Sequence, residues 1–334
     1  MSQLAKVELH LHLDCSLSYG AVAQLAPSIS REEYDAEFVA PPQCASLADF
    51  LTRAPRGFQL MQTEDALRIV TEDLFQQLAR DGVIYAEIRF APLLHLLNGL
   101  TPEAVVASVD RATEACIKAT GIEARLILCT LRHYDQAQSL LTARLVEQFK
   151  GSRVAALDIA GDEAGFPIDA HVAAFQYAQD HGLDRTAHAG EASGAASVWE
   201  TLKAFAPSRI GHGVRSIEDP SLVEHLGRER IHLEVCPSSN VQTRTTLSYK
   251  EHAVDRLYRA GVSLSINTDA RTITNVTLEQ EYSRLREHFA WSDDELRACN
   301  REALRAAFID EATRATLLNQ LESGHATGAQ ASAI

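Results

Sequence analysis

Three things are missing from this chain, and each absence removes a class of protein. Its six cysteines (Cys15, Cys44, Cys116, Cys129, Cys236 and Cys299) contain no Cys-x-x-Cys pair and no disulfide-framework spacing. Thiolate metal clips and disulfide scaffolds are therefore set aside, and most of these residues read as reduced core thiols. No apolar run approaches the roughly 18 residues needed to span a bilayer. Met1 leads almost directly into a strand-like segment, leaving no room for a signal peptide. The expectation is a cytoplasmic protein with no membrane partner. Basic residues are also in short supply: Lys and Arg number 31 against 45 Asp and Glu, a formal net charge of −14. That balance argues against a nucleic-acid backbone or an anionic lipid surface as partner. Neither an internal repeat nor a linker cuts the 334 residues. The expectation is one domain over 1–322, followed by a small-residue tail, 323–334, that frays.

What is present is alternation of strand-like and helix-like segments. The first strand is Val7 to Asp14, where apolar and polar side chains alternate. Val83 to Phe90 is the second, Ile122 to Thr130 the third and Val154 to Ala160 the fourth. Short strands then end at His188, near His212 and near Val235, and Val262 to Thr268 is the eighth. Helical segments lie between them: Tyr19 to Asp35, Ser46 to Arg53 with Ser46 as N-cap, Thr63 to Asp81, and others. Ala54-Pro55-Arg56-Gly57 reads as a break. Two or three helices follow Leu278. Eight strands with helical crossovers predict an α/β fold, a TIM (β/α)8 barrel with extra helices, which suits a chain somewhat longer than the typical 250 residues. A doubly wound open sheet is the alternative.

Active sites of such barrels lie at the C-terminal ends of the strands, and those ends carry a polar set. The first offers His10, His12 and Asp14, which a strand projects to one face. Alone, this could be a half-buried edge strand with a wet histidine face. The second strand offers Glu87 and Arg89; the fourth Asp158, Asp162 and Glu163; the fifth His188 and Glu191; the sixth His212; the seventh Ser238, Ser239 and Asn240; the eighth Asp269. His212 stands between Gly211 and Gly213, which suggests close backbone approach. Asp269 could instead cap a helix or an Asx turn. Three imidazoles and one carboxylate, His10, His12, His188 and Asp269, suit one zinc ion per chain with a position open for water. Glu191 is then a spare carboxylate able to deliver a proton, and the combination points to metal-assisted hydrolysis.

Val7–Asp14 (VELHLHLD), EIRFAP, DIAGDE, HAGE, IGHG, LEVCPSSN and SINTD, in this order from about Lys6 to beyond Asp269, resemble the adenosine deaminase family of the amidohydrolase superfamily. The resemblance implies a zinc enzyme of purine salvage that converts adenosine, and 2′-deoxyadenosine, to inosine and ammonia. It also implies roles. Glu191 would protonate ring nitrogen N1, His212 would stabilise the attacking hydroxide, and Asp269 would orient the water. His12 and Asp14 would contact the ribose side, and the Gly161 amide another ring nitrogen. Segment 46–58 would form a hydrophobic lid containing Phe50, Leu51 and Phe58. The implied partner is a small-molecule purine nucleoside; the oligomeric state is not implied. Alternatives are an aminohydrolase for another 6-aminopurine (adenine, or a modified adenosine such as aminodeoxyfutalosine), a metal-dependent amidase or esterase, and a catalytically dead barrel used for binding.

Two departures from the family pattern involve three positions. Ala270 and Arg271 follow the metal-binding Asp where many members have a second Asp, which contacts the imidazole part of the purine, and a Pro. Arg271 could supply a replacement donor in the pocket. Cys15 stands where Gly is usual, and would be strained if its φ were positive.

Overall fold

Strands as apolar as Val83–Phe90, buried at all eight positions, need cover on both faces, which a parallel sheet inside a shell of helices provides. A computed structural model describes residues 4–323. It contains eight parallel strands: β1 (Lys6–His12), β2 (Val83–Phe90), β3 (Glu123–Leu131), β4 (Val154–Ala160), β5 (Asp184–Ala189), β6 (Arg209–His212), β7 (His232–Val235) and β8 (Leu264–Ile266). They pair in sequence order, and the result is the expected TIM barrel rather than an open sheet. The core lies mainly between the barrel's outer face and the surrounding helices. Val7 and Leu9 on the outer face of β1 pack on Leu304, Leu317 and Leu321 of the C-terminal helices Asp293–Ala306 and Glu311–Ser323. The latter helix includes Ser323; the remainder of the expected tail, 324–334, lies outside the described residues. Among the described residues no helix is long and apolar enough to cross a membrane.

Three local expectations change. The helical region from Tyr19 divides into Tyr19–Leu25 and Arg31–Glu37, because Pro27 interrupts it and Ser30 caps the second piece by accepting from Glu33 N. Ala54–Phe58 is a short helix rather than a break. Pro55 sits in its first turn, where a missing N–H costs no intrahelical bond. The eighth strand is only Leu264–Ile266, since the Asn267 side chain takes over the pairing. Its Oδ1 accepts from Leu9 N at 2.8 Å and His10 N at 3.2 Å.

The ring closes at the residues most important to the site. His12 N donates to Asp269 O (2.8 Å) and Asp269 N to His10 O (3.0 Å), a bridge centred on Leu11 and Asp269. Buried ions hold this seam. Glu8 Oε1 accepts from Thr268 N at 2.8 Å and also from the Thr268 hydroxyl. Its Oε2 lies 2.7 Å from Arg271, whose guanidinium also meets Asp81 at 3.0 Å. Asp81 in turn accepts from Leu278 N and Glu279 N at the start of helix Leu278–Phe289. Removing the cation would leave the Glu8 and Asp81 carboxylates buried without this positive partner. Arg271→Met should therefore lower the unfolding free energy by about 3–5 kcal/mol, read from denaturant midpoints at unchanged slope. A loss under about 1 kcal/mol would show that the seam does not depend on this pair.

Candidate active site

Alternation places Glu8, His10 and His12 on the inner face of β1, but the strand stops at His12. Asp14 is delivered on a 3-10 turn, Leu13–Cys15. β5 brings His188, and the turn beyond β8 brings Asp269 back beside β1. The four residues assigned to metal converge. His10 Nε2 and His12 Nε2 lie 3.3 and 3.4 Å from Asp269 Oδ1, and His12 Nε2 is 3.2 Å from His188 Nε2. The four atoms that could ligate a metal all fall within 4.8 Å of one another. His10 Nε2 is buried without a hydrogen bond. Imidazole lone pairs packed against each other and a carboxylate are costly unless a cation sits among them, so the donor set fits a metal such as zinc. Asp269 caps no helix, which removes that alternative. Its φ of +65° and the +61° of His212 are uncommon for non-glycine residues, and both fall at this site, where such strain tends to collect.

The rings are aimed from behind. His10 Nδ1 meets Glu234 Oε2 at 2.9 Å and His188 Nδ1 meets Asp158 Oδ1 at 3.2 Å. Donation to those carboxylates turns each Nε2 lone pair toward the centre. Arg89 bridges the two carboxylates, 2.7 Å from Asp158 and 2.6 Å from Glu234. Glu87 and Arg89, read from sequence as rim residues, are thus interior: Glu87 pairs with Arg209 deep in the barrel. Glu234 was not singled out, although the alternation of His232-Leu233-Glu234-Val235 signals it as inward. Gly211 is required by contact, since a Cβ there would come within 2.9 Å of His10 Cε1.

Glu191 and His212 sit together. Glu191 Oε2 is 3.6 Å from His212 Nε2. Burial, reinforced by the charges of Asp269 and Glu163, raises the Glu191 carboxyl well above its ordinary range. Burial likewise holds His212 well below the usual imidazole range, hence neutral. Glu163 positions this turn, accepting from Gly190 N (2.7 Å), Glu191 N (2.9 Å) and Ser193 N (2.9 Å). A chain of hydrogen bonds assigns the His212 tautomer. Val254 N donates to His252 Nδ1 (3.1 Å), so His252 Nε2 carries the proton and donates to Asn240 Oδ1 (3.2 Å). Asn240 Nδ2 then donates to His212 Nδ1 (3.1 Å), leaving the hydrogen of His212 on Nε2. The strand-end residue Asn240 thus sets which nitrogen of His212 carries hydrogen. Ser238 is turned away toward Tyr249 and Arg284.

Above these groups is a cavity of about 310 Å³. Its floor includes His12, His188, Glu191 and Asp269, with Asp14 and Gly161 at its side. Burial lifts the Asp14 carboxyl to about 6. Gly161 has φ +103°, a conformation open to glycine. Helices Leu47–Leu51 and Ala54–Phe58 roof it with Leu47, Phe50, Leu51 and Phe58, as expected of segment 46–58, and Ser46 caps the first by accepting from Asp49 N. Cys15 lines the cavity without positive φ, so the feared strain is absent. Arg271 does not line it: its guanidinium is committed to Glu8 and Asp81.

The sequence profile described as "Adenosine deaminase" matches residues 5–323. The chain belongs to the adenosine deaminase family. Adenosine deaminase of Clostridium acetobutylicum is 33% identical over 326 residues, covering 96% of this chain and 97% of that one. Adenosine deaminase 1 of Streptomyces coelicolor is 36% identical, covering 95% and 85%. Among solved structures, adenine deaminase from Arthrobacter aurescens superposes with a TM-score of 0.88 at 26% identity, covering 96% and 98%.

Ligand aiming can be tested apart from catalysis. Glu234→Gln should weaken metal binding by about 10–100-fold, measured by competition with a chromogenic chelator. Unchanged affinity would remove Glu234 from this role.

Proposed function

We propose that this protein is a zinc-dependent aminohydrolase that converts adenosine and 2′-deoxyadenosine to inosine and ammonia in purine salvage. The observation that carries this reading is Glu191: a carboxyl whose burial favours its protonated form, beside His212 and the His10, His12, His188 and Asp269 cluster. Zinc held by those four residues would lower the pKa of water to about 7, making a hydroxide nucleophile available at neutral pH.

The remaining work falls to side chains of the chain itself. Gly161 N–H and Glu191 hold one edge of the purine. Glu191 gives its proton to N1, which draws electrons from C6 and opens it to attack. His212, with its hydrogen fixed on Nε2, donates to the attacking oxygen, and Asp269 accepts from the water and orients it. Oxygen bonds to C6 as one water proton passes to the amine; the C6–N bond then breaks, ammonia leaves, and the remaining hydroxyl proton returns to Glu191, giving the C6 carbonyl of inosine. Asp14 accepts from the sugar on the His12 side. No arginine or lysine borders the cavity, so nothing there would balance a phosphate, and the unphosphorylated nucleoside is favoured over a nucleotide. The acidic Asp14 likewise favours a sugar-bearing substrate over free adenine. All six cysteines are free, which fits the cytoplasm as the place of reaction.

Glu191→Gln keeps the shape and removes the transferable proton. It should cut kcat by about 10²–10⁴-fold while elemental analysis still finds the metal. Near-normal turnover would sink the assignment, and ammonia release from other aminated purines but not from adenosine would redirect the substrate. Asn240→Asp tests the tautomer chain. An acceptor in place of the amide draws the His212 hydrogen to Nδ1, so kcat should fall while KM for adenosine holds. A change confined to KM would contradict the role given to Asn240.

A further inference from the structure

The eight strands run around the barrel in sequence order, so the β4–β5 rim lies across the mouth from the β8–β1 rim. Gly161 and Glu191 belong to the first of these, Ala270 and Cys15 to the second. On the reading proposed above, the N1 edge of the purine faces β4–β5. The opposite edge, C5–N7–C8, then faces β8–β1.

That rim is apolar. Ala270, buried to 3%, packs with Ile273, Leu47 and Phe50 in one hydrophobic cluster, and all four border the cavity. The Arg271 guanidinium, next in sequence, is held elsewhere by Glu8 and Asp81. Cys15 packs against this cluster and borders the cavity beside Asp14 and Asp269, whose ionised carboxylates accept hydrogen bonds and cannot donate to N7. Its thiol, held protonated by burial and by the Asp14 charge, is directed at the Asp14 carboxylate.

We infer that the enzyme recognises the imidazole edge of its substrate by shape alone, through Ala270, Ile273, Leu47 and Phe50, and that it accepts purine analogues carrying C–H in place of N7. The inference rests on the proposed function and extends it to a substrate class. An acceptor such as N7, placed against an apolar wall, loses its water hydrogen bond and gains no replacement. A C–H group at that position has nothing to lose. A site built to donate to N7 would show the reverse preference, because its donor would be left unpaired by the C–H analogue.

Competitive inhibition by inosine and 7-deazainosine reads this contact without the reaction chemistry, using the metal-loaded protein with adenosine as the varied substrate. The expected result is that 7-deazainosine inhibits as tightly as inosine, or tighter by up to about tenfold. Weaker inhibition by 7-deazainosine, in protein that deaminates adenosine, overturns this inference alone. Failure to deaminate adenosine overturns the underlying reading, and this inference with it. Ala270→Asn supplies the missing donor, and its affinity for 7-deazainosine reports whether the pocket has survived. With that affinity retained, inosine should gain over 7-deazainosine by about fivefold; an unchanged ratio counts against the wall.

Discussion

Arg89 reaches from β2 into the barrel and touches carboxylates from two other strands, Asp158 of β4 and Glu234 of β7. Glu234 also meets Arg209, and Arg209 meets Glu87. A line of alternating charge thus crosses an interior that barrels of this kind usually fill with branched apolar side chains. Burial alone would depress the Arg89 guanidinium, and the charges of Glu234 and Asp158 more than reverse that. Those same carboxylates face His188 and His10. The rings that could hold a metal are therefore positioned by an ionic framework whose members are almost wholly buried. Such a framework contributes little net stability once desolvation is counted, but losing one member leaves its partners charged and unpaired. Its value here is orientation.

The same logic operates at two other places around the mouth. Glu163 gathers the amides of the turn that carries Glu191, and the Val254–His252–Asn240 chain decides which nitrogen of His212 bears hydrogen. His10, His188, His212 and the turn of Glu191 are each held by a residue from a different strand or loop. Such cross-strand support keeps a site rigid enough for small misplacements to matter.

The two departures from the family pattern at the closure have opposite consequences. Arg271 strengthens the seam between β8 and β1 and takes no part in the pocket. Ala270, one residue earlier, leaves the pocket wall apolar. Both substitutions are visible in the sequence, which allowed Arg271 as a donor in the cavity. Direction along an irregular turn has no periodicity from which to read it, and the partners, Glu8 and Asp81, are distant in the chain.

The sequence by itself determined the strand count, the barrel and the converging donor set. Alternation on β1, the Gly-flanked His212 and the chemistry at successive strand ends are local signals, and strand order in a barrel turns local position into a place on the rim. It also held the Ser46-capped helix, because capping is a short-range pattern, while the lid role of 46–58 came from the family resemblance. Only the tertiary structure decided which buried ions aim the rings, where Asn267 replaces strand pairing, which tautomer His212 adopts and which way Arg271 turns. Each of these depends on hydrogen bonds between residues far apart in sequence, whose geometry is set by closure of the barrel and by exclusion of water from its interior.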